Sequence, residues 1–77
     1  MVKLSGLRPG ESASVKNINA TGALRRRFFD IGIIEGTRIK CVAVSPQKDP
    51  KAFDIRGAVI AIRDSDSALI EVGDSDE

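Results

Sequence analysis

Three consecutive arginines, Arg25, Arg26 and Arg27, are the densest chemical feature of the sequence, and Phe29 follows close behind them. A guanidinium is permanently charged and presents its donors as a planar fork, which suits carboxylate and phosphate partners. Neighbours on a helix turn by about 100°, so three in a row point three ways and make no single flat basic patch. They read either as a solvated face closed by local salt bridges or as contacts to another protein, where Arg is enriched. An arginine supplied to a GTPase, to stabilise charge on a transferring phosphoryl group, is a further chemistry open to them. Phe29 lies off the apolar stripe of its helix, about 100° from Phe28. We expect partial burial for it in so small a domain. An exposed Phe29, four residues after Arg25, would instead form an Arg–aromatic anchor of the kind that dominates binding interfaces.

Other reactive chemistry is scarce. The sequence has no histidine and one cysteine, Cys41. Serine and cysteine nucleophiles activated by histidine are therefore excluded, as is an intramolecular disulfide. A lone thiol makes neither a Cys/His zinc site nor a thiolate-held iron–sulfur cluster. Cys41 reads as a small buried apolar residue between Ile39 and Ala43 on one side of a strand. Asp64-Ser65-Asp66 has the start of a calcium loop without its length, its glycine or its closing glutamate, so Asp64 reads as a helix cap. No Gly-rich run ends in Lys-Ser/Thr, so the chain is not expected to bind nucleotide itself. We expect no catalytic residue, no metal site and no cofactor.

The elements that position these residues follow from periodicity. Pro9-Gly10 suits the centre of a type II turn, with Pro fixing φ and Gly accepting a positive φ. Ala13 and Val15 alternate with Ser14 and Lys16, a half-buried strand running to about Ile18. Leu24, Phe28 and Ile31 share one face of a short helix over residues 23–31, with Thr21 as its cap. Gly32 stops it. Gly36 marks a tight turn. Residues 37–44 are rich in β-branched side chains and form the clearest strand. Phe53 and Ile55 alternate with charged neighbours, Gly57 breaks the run as hairpin turn or bulge, and residues 58–63 are a nearly all-apolar strand. Ile70 and Val72 close the set. About five short strands joined by tight turns and one inserted helix make a mainly β chain, best satisfied by a small barrel whose closure removes the unpaired edges.

At this level the residues become recognisable. Leu4-Ser5-Gly6-Leu7-Arg8-Pro9-Gly10-Glu11, then Gly22 to Ile33 with its Leu-Arg-Arg-Arg run and Asp30-Ile31-Gly32-Ile33, then Glu35-Gly36-Thr37 resemble the FeoA family, the small ferrous iron transport protein A of bacteria. Arg56-Gly57 and Ala68…Ile70-Glu71-Val72 fit the same pattern. The resemblance implies an SH3-like β-barrel with an inserted helix and an accessory role in ferrous iron uptake. It implies, as partner, the cytoplasmic G-protein part of the membrane transporter FeoB. The sequence departs from the family at Glu35, where Pro is usual, and at Phe28-Phe29, where Leu-Leu is common.

A chain of 77 residues holds one domain, here residues 1–73, followed by an acidic tail at 74–77 expected to fray. Formal net charge is +1, too small for a general nucleic-acid binder. A nucleic-acid reading would rest on Arg25, Arg26, Arg27, Arg38, Lys40 and Lys48, without Tyr or Trp to stack bases. A third reading is a homo-oligomeric adaptor joined through a barrel edge or Phe29. No apolar run approaches the roughly 20 residues of a membrane helix. With no secretory signal and one unpaired cysteine, the expected location is the cytoplasm.

Overall fold

The computed structural model describes residues 2–73. Its elements are β1 (Val2–Lys3), a 3-10 turn (Leu4–Gly6), β2 (Ser12–Ile18), α1 (Gly22–Asp30), β3 (Arg38–Val44), β4 (Lys51–Ile55), β5 (Ala58–Ile62), α2 (Asp64–Ser67) and β6 (Ile70–Gly73). The six strands form one antiparallel sheet in the order β1-β6-β2-β3-β4-β5. The expected count of about five strands rises to six because Val2 and Lys3 pair with Val72 and Glu71. Two residues carry no period of their own, so only the pairing reveals them. No ladder joins β1 to β5 among the described residues, so the sheet curls without hydrogen-bonded closure and keeps two edges.

A single apolar cluster fills the curl. Its members include Val15 of β2, Ile39 and Cys41 of β3, Phe53 and Ile55 of β4, Ile62 of β5 and Ile70 and Val72 of β6, all inward by the strand alternation. Leu4, Leu7, Ala20, Phe28 and Ile33 close its open sides. The alternation fails at two places. Val42 is an extra residue between Cys41 and Ala43, and Lys16 one between Val15 and Asn17. The first bulge turns Ala43 outward, so Cys41 and Ala43 do not share a face as expected: Cys41 is buried and Ala43 exposed.

Turn chemistry sets the connections. Glu11 N–H donates to Arg8 O at 2.9 Å around Pro9-Gly10, and Gly10 has φ +94°. Thr37 N–H donates to Ile34 O at 3.0 Å around Glu35-Gly36, where Gly36 has φ +91° and Glu35 fills the position Pro often takes. Arg56 and Gly57 both have positive φ, 54° and 91°, and Ile55 faces Ala58. That is a two-residue type I′ hairpin, whose twist matches the strands it joins.

Helix α2 corrects one expectation. Its N-cap position is Arg63, not Asp64, and no side chain of its own caps it. Asp49 Oδ1 of the preceding loop accepts from Asp64 N–H at 3.0 Å instead. The Asp64 carboxylate is thereby left to meet Lys51 Nζ at 3.0 Å.

Candidate functional site

Helix α1 is held on the core by the expected stripe: Phe28 is buried, with Leu24 and Ile31 packed partly against the cluster. It begins at Gly22 and Thr21 occupies the N-cap, but the Thr21 hydroxyl makes no capping bond. Its C-terminus is closed more firmly. Gly32 N–H donates to Phe29 O at 3.0 Å and Ile33 N–H to Phe28 O at 2.8 Å, with Gly32 at φ +97°. This is a Schellman ending, and it drives Ile33 into the core. Thr37 reinforces it: its hydroxyl donates to Gly32 O at 2.9 Å and accepts from Ile34 N–H at 3.3 Å. Sequence reading saw Thr37 only as a strand opening. Its signal is a hydroxyl right after a Gly turn, placed to return to the helix end.

The outer face of α1 differs from expectation at its centre. Phe29 is 63% exposed, not partly buried. The wheel gives its direction, and among the described residues no other segment covers that side of the helix. Ile34, read as part of a connection, stands 38% exposed in the same neighbourhood. Ile33 and Ile34 are consecutive, and once the helix ending turns Ile33 inward Ile34 must face out. Arg25, Phe29, Ile33, Ile34 and Glu35 line a small hollow with Ile18. Arg25 and Phe29 line a second, with Arg26 and Gly22.

The three arginines separate as the helical turn requires. Arg25 Nη1 donates to Ile18 O at 3.1 Å, which fixes it beside Phe29. Arg26 is 80% exposed and loosely paired with Asp30 at 3.9 Å. Arg27 lies on the other flank, over Ile60, Ala61 and Arg63 of the β5 region. Arg25, Arg26 and Phe29 thus form one surface, and Arg27 belongs to another. The other basic residues of the nucleic-acid reading are distributed over β3 (Arg38, Lys40) and the β3–β4 loop (Lys48). A charged fork, an exposed arginine and an apolar ring side by side suit an acidic and apolar protein surface.

Inward chemistry is slight. Cys41 is fully buried, and burial pushes its thiol above the usual range, against a smaller opposing effect from its contact with Ala43 O. Among the described residues no group of three or more His, Cys, Asp or Glu gathers as a metal site. No helix among them is long and apolar enough to cross a membrane.

A small curled antiparallel sheet with a helix inserted after its second strand defines an SH3-like domain. The chain belongs to the FeoA domain family, which it matches over residues 2–73. It is 31% identical over 71 residues to the Fe(2+) transport protein A/Fe(2+) transporter FeoB fusion protein of Porphyromonas gingivalis, covering 92% of this chain and 8% of that protein. The solution structure of iron(II) transport protein A from Clostridium thermocellum superposes with a TM-score of 0.92 at 34% identity, over 96% of this chain and 46% of that one. The crystal structure of Stenotrophomonas maltophilia FeoA complexed with zinc, described as a prokaryotic SH3 domain protein, gives a TM-score of 0.83 at 26% identity, over 95% and 91%. The chain therefore spans less than half the length of two of these relatives.

Proposed function

We propose that this domain is an accessory, regulatory protein of bacterial ferrous iron uptake that docks on the cytoplasmic G-protein part of a FeoB-type transporter. The observation that carries the reading is Phe29, exposed on the helix and flanked by the anchored Arg25 and the exposed, loosely paired Arg26. Large aromatics and arginines concentrate binding energy when a partner covers them. The partner's identity is supported by the P. gingivalis relative, in which protein A and the FeoB transporter are one chain. Fusion puts the two at high effective concentration, which is useful when they bind each other.

Docking regulates only if affinity differs between the partner's conformations, since equal affinity shifts no equilibrium. The expected action is therefore binding that depends on the partner's nucleotide state, on the cytoplasmic side of the membrane. An arginine finger is a poorer fit for Arg25, whose guanidinium already serves Ile18 O. The test is titration of the purified G-protein domain with wild type, Phe29→Ala and Arg26→Glu. Each variant should fold normally and bind at least about tenfold more weakly, the loss of one good anchor. Wild-type affinity in both variants would remove α1 as the docking face.

A further inference from the structure

The second surface is the free edge of β5, on the Arg27 side of the helix. Among the described residues, strand β5 has one neighbour, β4. In the type I′ hairpin the closing pair Ile55–Ala58 is hydrogen-bonded, and bonded pairs then alternate along the ladder through Phe53–Ile60 and Lys51–Ile62. The N–H and C=O groups of Val59 and Ala61 consequently point away from the sheet. Edges of natural sheets are normally blunted by Lys, Pro, inward charge or a covering element. Here the strand reads Ala-Val-Ile-Ala-Ile, with neither charge nor proline, and Val59 is 64% exposed. The opposite edge, β1, is only two residues long.

Beside this edge runs a groove of about 270 Å³. One wall is Arg27 and Phe28 of α1 with Ile31 just past its end, the other Ile60, Ala61 and Arg63. Arg56, at the hairpin end of the strand, lies instead against Gly32 and the α1–β3 connection. Among the described residues, neither Arg27 nor Arg63 has a carboxylate within 4.0 Å. The one acidic residue lining the groove is Asp66. Open backbone donors and acceptors, the exposed Val59 and the two arginines of the groove together specify an occupant.

We propose that the β5 edge captures an extended segment of another protein, alternating apolar and acidic residues, as an added strand. Backbone pairing would supply affinity and the two groove arginines specificity. A second copy of this chain fits worse, because it would bring the same arginines against the groove. The inference does not rest on the α1 docking face, since it uses neither Arg25 nor Phe29.

The test uses isotope-labelled protein and two heptapeptides of one design, valine alternating with glutamate in one and with lysine in the other. The glutamate peptide should bind with a Kd below about 1 mM and at least about tenfold more tightly than the lysine peptide at low salt. The largest amide shifts should fall on Val59 and Ala61, which gain protection from solvent exchange. Val59→Pro removes an outward N–H that β4 does not use, a position where edge strands accept proline, and should abolish binding. Arg63→Glu should lower affinity for the glutamate peptide and raise it for the lysine peptide, and it decides the matter if the proline variant misfolds. Equal binding of the two peptides, no binding at that concentration, or shifts centred on Phe29 would overturn the proposal. So would self-association through the β5 amides without peptide.

Discussion

Cys41 is the residue where burial has a measurable chemical consequence. Its thiol is fully enclosed and its pKa is raised by desolvation. The folded chain therefore holds the thiol proton at a pH where the unfolded chain has begun to release it. Stability must fall as pH rises past the ordinary thiol value, because the unfolded state then binds fewer protons. Urea midpoints at about pH 7 and about pH 10, either side of that value, measure the slope. Cys41→Ala should flatten it. An unchanged slope in the variant would assign the alkaline loss to other groups. Wild-type Cys41 should also resist alkylation until the chain unfolds. Burial of Cys41 and Phe28 was legible in the sequence, because both sit on clear periodic faces. The exposure of Phe29 was not. A wheel shows that a side chain leaves the core stripe, but whether a distant segment covers it is a matter of tertiary packing.

Among the elements, the α1–β3 connection does most to aim the proposed docking face. The Schellman ending commits Ile33 to the core and Ile34 to solvent, and the Thr37 hydroxyl ties the two together by bonding Gly32 O and Ile34 N–H. Thr37→Val keeps the shape and loses both bonds, leaving two polar backbone groups short of a partner. The expected cost is about 1–2 kcal/mol, read as a lowered urea midpoint, with Thr37→Ser retaining most of the wild-type value. A Val variant as stable as wild type would mean that water replaces the hydroxyl fully. Local chemistry of this kind was largely readable: the Gly32 stop, the Pro9-Gly10 turn and the strand break at Gly57 follow from backbone preferences a few residues wide, although Arg56 joins the turn and not the strand. The bulges at Lys16 and Val42 and the two-residue β1 were not, since each exists only against its pairing strand. The cap on α2 escaped for the same reason, its acceptor coming from Asp49 fifteen residues away.

At the scale of the whole molecule, the sheet order matters more than any strand in it. Strands β2 to β5 are neighbours in sequence and in the sheet, with short links from β3 to β5 and the longer α1 connection between β2 and β3. Strand β6 comes last and enters between β1 and β2, and no periodicity could have announced that. It contributes Ile70 and Val72, both fully buried, and its Val72 faces Val2 on one side and Val15 on the other. Loss of β6 therefore uncovers the core from the β2 side and frees β1 altogether. A domain this small buries only about 60% of its unfolded surface and has little margin to lose. We predict that a chain ending at Leu69 has no cooperative unfolding transition and collapsed amide dispersion, although the consecutive β2–β5 strands remain. If instead that chain keeps a native-like spectrum for β2 to β5, the four-stranded unit is self-sufficient and β6 serves mainly to seat β1. The distinction reaches function, because α1 is held by Phe28 in the same core. A truncated chain that loses the core must lose the Phe29 surface with it, whereas one that keeps β2–β5 should still bind its partner.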